Sequence, residues 1–273
     1  MNGLAASAAT VRLAAVASTA LQPVLARPEG SGTLLGVSDH AAWLSAHGGV
    51  IVLGDRAAVR LPNTVELAVD ELGRWIDGDD AVSVGDGMIS VGPLSVAVRR
   101  WFDPRPALGA CRVDDLRDGM ELLRSIVGEP ADHGLAEALA GGDTAAILNI
   151  ASGLLGMGIG LTPEGDDLLA GALAAHVLLA DAIGRELDYF DGLIQPLTDL
   201  AGARTTDFSS ALVVHALHGR VSAPVADLLH ALTGRGPKVP AVNRLLAVGH
   251  TSGAALAAGL LVGGSALTLE NAS

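Results

Sequence analysis

Asp103-Pro104-Arg105-Pro106 divides this chain into two readings. Each proline fixes its own φ and pushes the residue before it away from the α region, so the four residues read as a connector. Before them, short apolar runs alternate with turn signals; after them, apolar residues recur at helical spacing. A chain of 273 residues has room for two domains of ordinary size. The expectation is an α+β protein. Residues 1–105 form a β-rich barrel- or sandwich-like domain with a leading helix, and residues 106–273 form a mainly α-helical domain.

On the N-terminal side, Gly32–Ser38, Gly49–Leu53 and Ala57–Leu61 have strand length, with Gly54-Asp55 as a tight turn between the last two. Ala81–Val84 and Met88–Val91 flank the hairpin signal Gly85-Asp86-Gly87, and Leu94–Arg99 follows Gly92-Pro93. Leu4–Leu25 reads as an alanine-rich helix, and Thr64–Ile76, after Pro62-Asn63, as a second one. Five or six short antiparallel strands result. On the C-terminal side the helical segments are Asp114–Val127, His133–Ala140, Asp143–Leu155, Pro163–Ile183, Leu187–Leu200, Asp207–Leu217, Ala223–Leu232, Ala241–Val248 and Gly253–Leu261.

Composition narrows the function. Half the residues are apolar, which excludes a disordered chain, and the net charge is −13. Such a chain repels phosphate backbones and anionic bilayers, so neither nucleic acid nor a membrane is an expected partner. Lys238 is the sole lysine and Cys111 the sole cysteine, so an intrachain disulfide is impossible. The apolar runs Leu168–Ala180 and Ala254–Leu267 fall short of the ~18 residues a membrane span needs. Residues 1–28 carry Arg12 and Arg27 and no acid, a faint likeness to a targeting peptide, but no positive cluster precedes an apolar run. A cytoplasmic location is expected.

The most unusual segment is Ser152-Gly-Leu-Leu-Gly-Met-Gly-Ile-Gly-Leu-Thr-Pro-Glu-Gly-Asp-Asp-Leu-Leu-Ala-Gly171. Thr162 as N-cap and Pro163 at the first position make a strong helix start, and Glu164, Asp166 and Asp167 suit the helix dipole. From Leu168 to Ala180 the helix is apolar all round apart from His176, so it should be buried with its two aspartates. Buried carboxylates are costly unless paired, and they concentrate in functional sites. Adjacent helical positions point about 100° apart, so one aspartate can face a cleft while the other bonds the glycine loop. A P-loop is excluded because Asp166-Asp167 stand where its lysine belongs, and the dinucleotide fingerprint is not met.

Two further helix starts carry hydroxyls: Arg204-Thr205-Thr206-Asp207-Phe208-Ser209 and Gly249-His250-Thr251-Ser252-Gly253. Singly, such residues are most often caps. Together with Gly158, Gly160 and Thr162 they suggest one small-anion site, held by helix N-termini and hydroxyls with Arg204 as the positive charge. His215 and His218 read as a helix-surface pair rather than half a metal site. His176 lies ~15 Å along its helix from Asp166 and makes no dyad with it. Cys111 reads as an inert small side chain.

The string Gly158-Ile-Gly-Leu-Thr-Pro-Glu-Gly-Asp-Asp-Leu-Leu-Ala-Gly171, with Thr205-Thr206-x-x-Ser209 and Gly249-His-Thr-Ser-Gly253, resembles the AllH-like family. It departs at Glu164, where many relatives are expected to have a small residue, and this leaves the substrate open. The resemblance implies a subunit of an oxamate carbamoyltransferase of allantoin catabolism, in purine degradation. That enzyme converts oxalurate and phosphate to oxamate and carbamoyl phosphate. It also implies a hetero-oligomer with an FdrA-like and a further subunit. Asp166 and Asp167 would be catalytic. Gly158, Gly160, Thr162, Arg204, Thr205, Thr206, Ser209, His250, Thr251, Ser252 and Gly253 would bind substrate. No cofactor is expected, though Mg²⁺ is compatible with the carboxylates. Two other readings stay open: a non-catalytic binding or scaffold subunit, and a Mg²⁺-dependent hydrolase or phosphotransferase using Asp166 and Asp167.

Overall fold

The computed structural model describes residues 10–131 and 133–269. It divides into two compact units, with the boundary between Pro104 and Arg105. The first is a closed eight-stranded barrel: β1 (Val11–Ser18), β2 (Gly30–Val37), β3 (Ala41–Ala46), β4 (Gly49–Gly54), β5 (Thr64–Leu67), β6 (Val82–Gly85), β7 (Met88–Val91) and β8 (Leu94–Phe102). Around the barrel the order is β1-β5-β4-β3-β2-β6-β7-β8, and β8 closes on β1. Six of the eight contacts are antiparallel; β1–β8 and β4–β5 are parallel. The interior is filled by alternate residues such as Ala15, Ala17, Leu44, Ile51, Val65, Leu67, Ile89 and Val96.

Three local expectations are corrected. The leading helix Leu4–Leu25 is instead strand β1 followed by a short helix, α1 (Gln22–Leu25); residues 4–9 of that range lie outside the described residues. Pairing with both β5 and β8 outweighs alanine's modest helix preference. Ala57–Leu61 is no strand. The Asp55 carboxylate accepts from the N–H groups of Ala57 (2.8 Å) and Ala58 (3.2 Å), which turns the chain at once. Thr64–Ile76 is no helix, although its apolar spacing imitates one. Val65 and Leu67 point into the barrel from β5, and Glu71 takes a positive φ of 53° that a helix does not permit. Strand β3 was not foreseen. The Asp86-Gly87 turn was, and its two positive φ angles (51° and 74°) match a primed hairpin turn.

In the second unit the helices are α2 (Val113–Val127), α3 (Leu135–Gly141), α4 (Thr144–Leu154), α5 (Glu164–Ile183), α6 (Asp191–Arg204), α7 (Asp207–Leu217), α8 (Ala223–Leu232), α9 (Lys238–Leu246) and α10 (Ser252–Thr268). Each answers to a segment read from sequence; α10 runs seven residues beyond the expected Leu261. Helix α5 is buried on nearly every side, and α10 lies against it. Glycines set the contact. A Cβ on Gly259 would stand 2.1 Å from the Leu168 carbonyl oxygen, one on Gly263 2.0 Å from that of Ala172, and one on Gly171 2.5 Å from that of Leu256. Rising numbers on α5 meet rising numbers on α10, so the two helices run parallel. His176, mid-helix, is a core histidine: its Nε2 meets the Tyr189 hydroxyl at 2.7 Å, and that hydroxyl donates to the Leu139 carbonyl. Burial pushes it down to about 4, so it is neutral. Among the described residues no helix is long and apolar enough to cross a membrane.

Gly263→Ala should therefore lower stability by about 1–3 kcal/mol, because the new methyl meets backbone that cannot rotate away. Gly202→Ala, in open space on α6, should be neutral or slightly stabilising. Denaturant midpoints of the two variants would separate close packing from a general effect of glycine replacement.

Candidate functional site

Because α5 and α10 run parallel and in contact, their N-termini come together, and the start of α7 joins them. The Thr162 hydroxyl meets that of Ser252 at 2.9 Å. Thr206 Oγ1 donates to the Leu161 carbonyl at 2.8 Å. Ser209 Oγ donates to Asp166 at 2.7 Å. The three helix starts singled out in the sequence thus converge on one locus of the helical unit. Thr162 does not cap α5, as the sequence suggested; the N-cap is Pro163, without a side-chain bond, and the threonine hydroxyl turns to Ser252 instead. Thr206 does cap α7, accepting from the Ser209 N–H at 3.1 Å.

The two aspartates differ sharply although both are buried, Asp166 at 1 % and Asp167 at 4 % exposure. Asp166 Oδ1 accepts from the Gly156 N–H at 2.7 Å, and its Oδ2 accepts from the hydroxyls of Thr205 and Ser209. It is the aspartate that bonds the glycine loop, and it ties that loop to the start of α7. Asp167 Oδ2 is buried and takes no hydrogen bond among the described residues. Burial raises the Asp167 carboxyl to about 6, partly offset by the nearby Ser252 and Thr162 hydroxyls and reinforced by the charges of Asp166 and Glu164. One of those two hydroxyl protons sits between the oxygens of Thr162 and Ser252, which leaves a single proton for Asp167.

The remaining expected residues lie around these helix starts. Gly158 (φ +119°) lets the loop fold onto the Glu164 N–H, where a Cβ would stand only 2.7 Å away, whereas Gly160 (φ +99°) faces open space. Between them Ile159 is 93 % exposed, flanked by the partly exposed Met157 and Leu161. Arg204 is exposed, with Nη1 donating to the Ser152 carbonyl at 3.3 Å. His250 and Thr251 are exposed next to Ser252, and Gly253 is buried. Of the histidine pair, His215 is more enclosed than a surface reading implied: its Nδ1 is shut off without a partner among the described residues, and burial pushes it down to about 4. Burial also raises the Cys111 thiol above its usual range. No group of three or more His, Cys, Asp or Glu side chains gathers as for a metal ion among the described residues.

Residues 154–264, a segment that contains all three helix starts, match the family model of oxamate carbamoyltransferase subunit AllH. The likeness drawn from the glycine-rich motif is thereby shown for this segment. No solved structure matches the chain.

Two outcomes follow. Asp166→Ala leaves three donors without an acceptor and should destabilise the fold by on the order of 3 kcal/mol in denaturant unfolding. Asp167 behaves differently. Its carboxyl is raised in the fold, so between about pH 4 and 6 the native state holds more proton than the unfolded one, and stability from this group falls as pH rises. Asp167→Asn should gain on the wild type through that window, by on the order of 2 kcal/mol at pH 7 and little at pH 4, as read by melting temperature against pH.

Proposed function

We propose that the chain is a subunit of an oxamate carbamoyltransferase, and that Asp167 is the group that meets the substrate. One observation carries this reading: a carboxylate oxygen buried without a partner, at the meeting of two parallel helix N-termini, within the segment that matches the family. Such an oxygen lacks the compensation a merely structural aspartate obtains, as Asp166 does one residue away.

In the reaction, an oxygen of phosphate attacks the ureido carbonyl carbon of oxalurate. The bond from that carbon to the oxamate nitrogen breaks, the nitrogen takes a proton, and carbamoyl phosphate and oxamate leave. Oxalurate, oxamate and carbamoyl phosphate each carry an anionic end and an amide end. Asp167 accepts the NH2 of the carbamoyl or oxamate group, since an ionised carboxylate is acceptor only. Ser252 and Thr162 offer hydroxyls, the α10 start offers its dipole, and Arg204 brings the formal positive charge for phosphate or carboxylate. Asp166 acts through the glycine loop as a positioning residue. The exposed Met157, Ile159 and Leu161 give that loop an apolar outer face, suited to a partner subunit that closes the site.

Calorimetric titration of the purified chain with carbamoyl phosphate, with and without Mg²⁺, tests the assignment. Wild type should bind saturably, and Asp167→Asn should weaken binding about tenfold while the fold is retained. In the reassembled enzyme the same variant should lower kcat by about a hundredfold or more. Equal affinity in wild type and variant would remove Asp167 from the substrate contact, and no binding by either would leave the chain a scaffold.

A further inference from the structure

We propose that the barrel carries a second anion site, for a small phosphate-type dianion, built by a β-bulge in strand β8. The register between β1 and β8 pairs Ala15 with Val98 and then Val16 with Arg100, so Arg99 is an extra residue without an opposite number. In a regular strand, neighbouring side chains alternate between inside and outside, and Arg100 would point with Val98 towards the core. The bulge re-aims it, as bulges do. Arg99 and Arg100 are consequently both exposed and both line one cavity of about 370 Å³ on the barrel.

Charges around this cavity are already matched except for these two. Arg56 pairs with Asp70 at 3.1 Å, and Glu66 with Arg60 at 2.6 Å. The Asp55 carboxylate is engaged by His40 and by the N–H groups of Ala57, Ala58 and Leu72. Among the described residues neither Arg99 nor Arg100 enters an ion pair. Two unmatched guanidiniums lining one cavity repel each other, an arrangement against the trend of a chain whose net charge is −13. Small residues of β1, Ala14, Ala15 and Val16, line the cavity beside the two arginines.

Each guanidinium presents parallel N–H donors matched to a carboxylate or phosphate edge, and two adjacent forks suit an anion with three free oxygens. The volume lies at the small end of the range for ligand pockets, enough for a phosphomonoester with a short organic group. No residue that lines this cavity belongs to the site at Asp167.

All three tryptophans lie in the barrel unit, and Trp101 follows Arg100 at 40 % exposure, so intrinsic fluorescence reports on this cavity. The full chain is titrated at low salt with inorganic phosphate and with glycerol phosphate. Saturable binding of the monoester is expected, weakened about tenfold or more in the double variant Arg99→Gln/Arg100→Gln. Glu66→Gln, which removes a negative charge from the wall, should tighten it. Asp167→Asn should leave this titration unchanged, which separates its failure from that of the carbamoyl site. Absence of saturation, or equal affinity in wild type and double variant, overturns the proposal. Saturable binding of hexaglutamate without binding of either phosphate overturns it too, and makes the arginines a docking face for an acidic peptide.

Discussion

Close contact between the backbones of α5 and α10 is the constraint on which the helical unit depends. Gly171, Gly259 and Gly263 remove the side chains that would otherwise keep the helices apart, and the carbonyls of Leu168, Leu256 and Ala172 occupy the space. At such a distance the two helices have little freedom to slide. The parallel direction matters as much as the closeness: it brings two positive dipole ends to one end of the pair, where Asp167 and Ser252 stand. An antiparallel pair would place a carbonyl-rich C-terminus there and reverse the sign of the local dipole.

Adjacent residues on one helix turn have been given opposite duties by their surroundings. Asp166 collects three donors and holds the loop against α7. Asp167, a hundred degrees around the helix, collects too few, and its carboxyl responds by holding its proton to higher pH. A folded chain tolerates an under-satisfied group when the rest of its core is sound, and here α5 is buried over most of its length. Places where a structure departs from full satisfaction are where binding is to be sought.

Much of this was legible in the residues. The helical segments are long and periodic, and the glycine-rich motif, the hydroxyls of Thr205, Thr206, Ser209 and Ser252 and the two aspartates stand out by composition. Their convergence follows from a close α5–α10 crossing that no local pattern encodes. The barrel was less legible, because strand identity there is decided by partners far away in sequence. Ala15 and Ala17 look helical until β5 and β8 flank them. Thr64–Leu67 looks like the first turn of a helix until its pairing with β1 and β4 is known. The Asp55 turn and the Arg99 bulge are features of register, which depends on pairing rather than on the local sequence.

The seam between β1 and β8 joins the first described strand of the barrel to its last. A closed barrel has no edges, but closure here must wait for Phe102. During synthesis β1, β5, β4, β3, β2, β6 and β7 can pair in order while one flank of β1 and one of β7 remain open to any other strand. The longest-range contact is therefore the last that can form, and until then the growing sheet carries two unprotected edges. Once β8 docks on both, the same strand completes the hydrogen-bond ring and sets its two arginines in place, so the last open edges vanish and the bulge forms in a single step.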